Sequence, residues 1–237
     1  MKPAPLLTNV TCTELKTLQF EVDVMTTDQL INALMADLKP VDRRRIPRAL
    51  IIALAIGVAA VFGAMFLLLK LPPDMFDSRN VDYLSAKLFF TLGVVATAAT
   101  FLPRFARPGA ERLSFLPFAS FPFVAITALA AVALASSHWS TWRDIIVGKD
   151  WLTCILAIPA FAIVPFGAVV WALRVGAPTD RTLAGATAGL VASGLSAAAC
   201  ALTCTETSYP SIALWYGLTI GACTSLAARL GPRLLRW

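Results

Sequence analysis

The residues of this 237-residue chain whose chemistry stands out are its cysteines, five in number, above all Cys154 and Cys204, and its one histidine, His138. Two thiols can be oxidised to a disulfide when their Cα atoms come within about 7 Å, and thiolates bind soft, thiophilic cations. Buried cysteine is also commonly a small hydrophobe with no chemistry of its own. Position has to decide among these readings, so the elements that carry the thiols come first.

Hydrophobic residues make up 58% of the chain and charged residues 14%, with a mean hydropathy of +0.73. That composition is too apolar for an ordinary soluble domain. Crossing the hydrocarbon core of a bilayer takes roughly 20 mostly apolar residues, and runs of that length occupy 49–71, 84–102, 116–136, 152–173, 183–204 and 211–230. Each is nearly free of ionisable side chains. Lys70 and Lys87 fall near span ends, where a lysine stem lies along apolar surface and its ammonium reaches the interface. The runs are far longer than the roughly 10 alternating residues of a membrane strand. The expected fold is therefore an all-α integral membrane protein, with six transmembrane helices over residues 49–237 and a short amphipathic cytoplasmic segment over 25–48.

Orientation follows the lysines and arginines that flank the spans. Lys39, Arg43, Arg44, Arg45 and Arg48 precede the first span; Arg104, Arg107 and Arg112 lie in the second loop, Arg174 and Arg181 in the fourth, and Arg229, Arg233 and Arg236 at the end. The alternate loops carry Asp74, Asp77, Asp82, His138, Asp144, Asp150 and Glu206. This pattern puts both termini in the cytoplasm. It accounts by topology for the net charge of +6 and the pI near 9.3, which are not read as direct nucleic-acid binding. Residues 1–24 lack the continuous apolar stretch of a cleavable signal and carry Glu14, Lys16, Glu21 and Asp23. Met25 is an alternative start, which would make residues 1–24, with Cys12, an extension to which no function is attached.

In that topology the fourth span begins, and the fifth ends, at the periplasmic face. Cys154, two residues after Leu152, and Cys204 then lie at similar depth near the outer surface. Cys200 is one helical turn deeper on the same face as Cys204, and Cys223 falls in the middle or inner half of the sixth span; both read as packing residues. Three chemistries stay open at the outer pair. They are a regulated disulfide, a constitutive disulfide in an oxidising compartment, and transient capture of a thiophilic metal ion by Cys154 and Cys204, with Cys200 and His138 as auxiliary ligands. No resident cofactor is expected.

Ahead of the first span, Leu30, Ile31, Leu34, Met35 and Leu38 recur at helical spacing and form one stripe. Thr26 and Gln29 fit a capping box, Asp28 adds favourable charge to the first turn, and Pro40 ends the segment. About three turns of helix are marginal alone in water, so the stripe needs a surface to lie against. A helix bound to lipid would carry lysine or arginine on its polar face; this face shows Asp28, Asn32 and Asp37. The chain's own cytoplasmic loops are short and offer little apolar surface. A groove on a cytoplasmic protein is the favoured partner, contacted by the five stripe residues, with Asp28 and Asp37 flanking them.

The order "DQLINALMADLKPV", six spans, "LRVGAP" at 173–178, "ALWYGLTIGA" at 213–222 and "LGPRLLRW" at 230–237 resembles the NrsF family of bacterial membrane proteins over residues 25–237. The resemblance implies a multi-pass inner-membrane anti-sigma factor. Its cytoplasmic N-terminal part would hold an extracytoplasmic-function sigma factor and release it under stress. In NrsF-like proteins a cysteine early in the fourth span and another at the end of the fifth are associated with sensing, and Cys154 and Cys204 match those places. Cys204-Thr205-Glu206 departs from the Cys-Pro-Glu of the family pattern.

Two other classes rank lower. A small transporter or channel would usually carry ionisable groups near the midplane, and the spans show none there. A membrane thiol oxidoreductase would want a Cys-x-x-Cys pair and an electron acceptor, whereas Cys200 and Cys204 are spaced Cys-x-x-x-Cys. No catalytic residue is assigned, and the chain is not expected to be an enzyme.

Overall fold

The computed structural model describes residues 31, 35, 45–68, 78–105, 115–148, 151–176, 178, 180–204 and 208–235. The chain divides into two units, Met1–Arg43 and Arg44–Trp237. In the first, Ile31 and Met35 are helical and exposed, and their spacing of four puts them on one helix face. Asp28, Leu30, Leu34, Asp37 and Leu38 lie outside the described residues, as do residues 1–24.

The second unit is helical, with no strand among the described residues. Its helices are α1 (Arg45–Leu68), α2 (Ser78–Phe105), α3 (Phe115–Ala135), α4 (Trp142–Val147), α5 (Trp151–Gly176), α6 (Arg181–Thr203) and α7 (Tyr209–Leu234). All but α4 are long and apolar enough to cross a membrane. Their outward faces are apolar, with Ile52, Phe66, Phe89, Phe121, Val132 and Ile163 exposed. Some helices outrun the apolar run that marks them: α2 begins at Ser78 and α7 continues to Leu234. Backbone hydrogen bonding continues past the point where the side chains turn polar, and hydropathy sees only the side chains.

The turn-and-helix between α3 and α5 was not expected from the sequence. A 3₁₀ turn at Trp139–Thr141 leads into the six-residue α4. Gly148 ends α4 at φ 67°, a left-handed backbone that suits glycine, and its N–H donates to the Asp144 carbonyl at 3.1 Å. A π-helical stretch, Ile212–Tyr216, interrupts α7 near its start.

Helix α6 is the centre of the bundle. It packs against α7, α2, α5 and α1 and is buried from Thr187 to Ala201 without interruption. Small residues make that enclosure achievable: a Cβ on Gly194 would stand 2.7 Å from Val95 Cγ2 of α2, and one on Gly189 would collide with Ala227 Cβ of α7. Asp180 caps α6, its carboxylate accepting the N–H groups of Thr182 and Leu183 at 3.1 Å each. Deeper in the bundle, the Ser196 hydroxyl donates to the Ile158 carbonyl of α5 at 2.6 Å, which fixes the register between α5 and α6.

Candidate functional site

That register brings the first turn of α5 to the last turn of α6. Cys200 and Cys204 are four residues apart on one helix face. Cys204 is the C-cap of α6, its N–H donating to the Cys200 carbonyl at 3.0 Å. Cys154, from α5, completes a cluster. Its Sγ lies 3.4 Å from that of Cys204, which lies 3.2 Å from that of Cys200, and the three sulfurs all fall within 4.8 Å of one another. All three are free thiols, and none is more than 7% exposed.

The sequence pairs Cys154 with Cys204, and the structure brings these two together. Cys200, read as a packing residue and as an auxiliary ligand to that pair, stands in the thiol cluster as its third sulfur. Periodicity gives the face on which a residue lies but not the neighbour it meets. His138 is not brought to the thiols: it is exposed ahead of the 3₁₀ turn, with Nδ1 3.2 Å from Ser140 Oγ. The geometry therefore does not offer it as an auxiliary ligand. Cys223 is half-buried on α7 and lies outside the cluster.

Lys87 also requires a correction. Its side chain does not reach for an interface; it is 2% exposed, and its Nζ donates to the Cys204 carbonyl at 2.8 Å. The last carbonyls of a helix have no partner within the helix. A cation there satisfies one of them and meets the negative end of the helix dipole. Lys87 thus ties α2 to the residue that carries the central thiol. An ionisable residue inside an apolar helix was the signal for it.

Tyr216 is the other residue that sequence reasoning missed. It closes the π-helical stretch, is 1% exposed, and holds its hydroxyl close to the thiols of Cys154 and Cys204 without a well-formed hydrogen bond. Beside it, Trp215 Nε1 donates to the carbonyls of Ile146 and Val147 at 3.1 and 3.0 Å, and Ser208 Oγ donates to that of Ile145 at 2.8 Å. These bonds satisfy the end of α4 and fasten it to the start of α7. The thiol end of the bundle is therefore pinned from α2, α4 and α7, while α5 and α6 carry the sulfurs.

Such an arrangement can lose two protons and two electrons to an oxidant and form one disulfide, or offer its sulfurs to a soft cation. Comparison with known proteins adds the family context. The family model described as "Negative regulator of sigma F", NrsF, matches residues 34–237. A protein of Azospira oryzae named "Probable anti-sigma-F factor NrsF" is 28% identical over 214 residues, covering 90% of this chain and 100% of that protein. The "Anti-sigma-F factor NrsF" of Caulobacter vibrioides is 30% identical over 217 residues, again covering 90% of this chain and 100% of its own. No solved structure matches.

Proposed function

Because this chain belongs to the NrsF family of negative regulators of sigma F, we propose that it is a multi-pass inner-membrane anti-sigma factor, with both termini cytoplasmic, that holds an extracytoplasmic-function sigma factor and releases it when Cys154 and Cys204 react on the periplasmic side. The family is regulatory, and its named relatives support the anti-sigma role. The observation that carries the sensing part is the convergence of buried free thiols from α5 and α6 at one end of the bundle.

The mechanism needs a change at the thiols to alter helix packing. A disulfide or a bound ion would draw Cys154 and Cys204 into a new geometry. Since α6 contacts four other spanning helices, it cannot shift without repacking its neighbours, and packed interfaces respond as alternative states rather than by smooth deformation. Stress would bias the state in which the N-terminal segment loses its partner. The grip is assigned to Leu30, Ile31, Leu34, Met35 and Leu38, flanked by Asp28 and Asp37. Acidic flanks have the right sign for the basic surface a sigma factor presents to promoter DNA.

Co-expression with the extracytoplasmic-function sigma factors of the source organism, followed by capture from solubilised membranes, tests the assignment. Wild type should retain the sigma factor, and Leu34→Asp should lower retention about 30-fold or more, as loss of a central apolar anchor does. Full retention by Leu34→Asp would remove the segment from the interface, and failure of wild type to retain the sigma factor would overturn the proposal.

A further inference from the structure

We propose that Cys154, Cys200 and Cys204 form a three-thiolate site for a soft divalent cation, with Cys200 as a required ligand. The inference deepens the sensing reading above and rests on it for its consequence, sigma-factor release, but not for its coordination chemistry. A disulfide or a two-coordinate ion needs only Cys154 and Cys204. The structure adds a third sulfur 3.2 Å from that of Cys204, on a residue 2% exposed. A metal bound to sulfur at about 2.3 Å sets its sulfurs about 4 Å apart. The observed spacings, 3.2 and 3.4 Å for two pairs with all three inside 4.8 Å, reach that geometry with sub-ångström side-chain movement.

Two further groups point to the same ligand. The Tyr216 hydroxyl is buried beside the Cys154 and Cys204 thiols without a hydrogen bond of good geometry, and buried hydroxyls in native structures usually have a better-placed partner. Coordination converts neutral thiols, poor acceptors, into thiolates, which would give that hydroxyl a charged partner. The Lys87 ammonium on the Cys204 carbonyl favours an anionic complex over a neutral one. The binding step is M²⁺ + 3 RSH → [M(SR)₃]⁻ + 3 H⁺, which leaves one negative charge beside Lys87. Hard cations that need oxygen ligands find no carboxylate in the group.

The full-length protein in lipid nanodiscs is titrated with Cd²⁺, and the ultraviolet thiolate-to-metal band is recorded for wild type, Cys200→Ser, Tyr216→Phe and Cys154→Ser/Cys204→Ser. Wild type should bind one ion with the band of three sulfurs. Cys200→Ser should lose about a third of the band and bind about 10-fold more weakly or worse, as loss of even a supporting ligand contact does. Tyr216→Phe, which deletes only an oxygen, should keep the full band and bind about 3-fold more weakly, the scale of a lost hydrogen bond. It serves as the decisive variant should Cys200→Ser not fold. Wild-type titration of Cys200→Ser, or wild-type affinity of a folded Tyr216→Phe when Cys200→Ser does not fold, would overturn the site. If Cys200→Ser titrates like wild type while wild type still releases the sigma factor on oxidation, this inference fails and the anti-sigma reading stands. A three-sulfur cadmium complex in a protein that never retains a sigma factor supports the site and overturns that reading instead.

Discussion

Lys87 shows how a single residue's role follows from the bond left over at a helix end. Cys204 closes α6, its carbonyl has no partner within the helix, and the only described side chain that donates to it comes from α2. Replacing Lys87 by Met keeps the stem's bulk and removes the donor, leaving a buried carbonyl unsatisfied. The expected cost is about 1–3 kcal/mol, read as a lower midpoint in thermal unfolding of the detergent-solubilised protein; an unchanged midpoint would show that water takes over the carbonyl. That Cys154 and Cys204 share one end of the bundle was legible from the span boundaries. The sequence offers Cys200 only as packing or as an auxiliary ligand and says nothing of Tyr216, because the neighbours of both depend on the register between helices. A Ser196 hydroxyl bond and a π-helical turn set that register, and neither leaves a mark in hydropathy.

At the scale of elements, the spanning helices could be read from apolar run length, whereas α4 and the π-helical stretch could not. Helix α4 is six residues long and owes its place to Trp215 and Ser208 donors from α7, a tertiary cause with no periodic pattern. The small residues of α6 were visible as a stripe, and the structure shows which neighbour each admits. Gly189 faces Ala227 with no room for a side chain, while a Cβ on Gly63 of α1 meets nothing within 4 Å. Gly189→Leu should therefore force α6 and α7 apart at about 1–3 kcal/mol or more. Gly63→Ala should be neutral, or stabilising by up to about 1 kcal/mol through helix propensity. Paired thermal unfolding curves compare the two directly, and equal behaviour would mean that α6–α7 packing is looser than the structure describes.

Across the whole molecule, the two ends of the bundle are secured by the same device. At the thiol end Lys87 of α2 holds the last carbonyl of α6; at the opposite end Arg174 of α5 donates through Nε and Nη2 to the Leu234 carbonyl of α7 at 2.9 and 2.6 Å. Arg174 belongs to the "LRVGAP" motif and had been read only as a topology-setting charge. These caps tie α2 to α6 and α5 to α7, and the Ser196 bond ties α6 to α5; the resulting frame of four helices is what a thiol event at one end would need in order to act at the other. The direct test is to load wild type in nanodiscs with fluorescently labelled sigma factor, add a thiol oxidant, and follow dissociation beside Cys154→Ser/Cys204→Ser. The account predicts that wild type releases the sigma factor while the double variant keeps it. Equal release from both, or full retention by wild type with its disulfide formed, would contradict it.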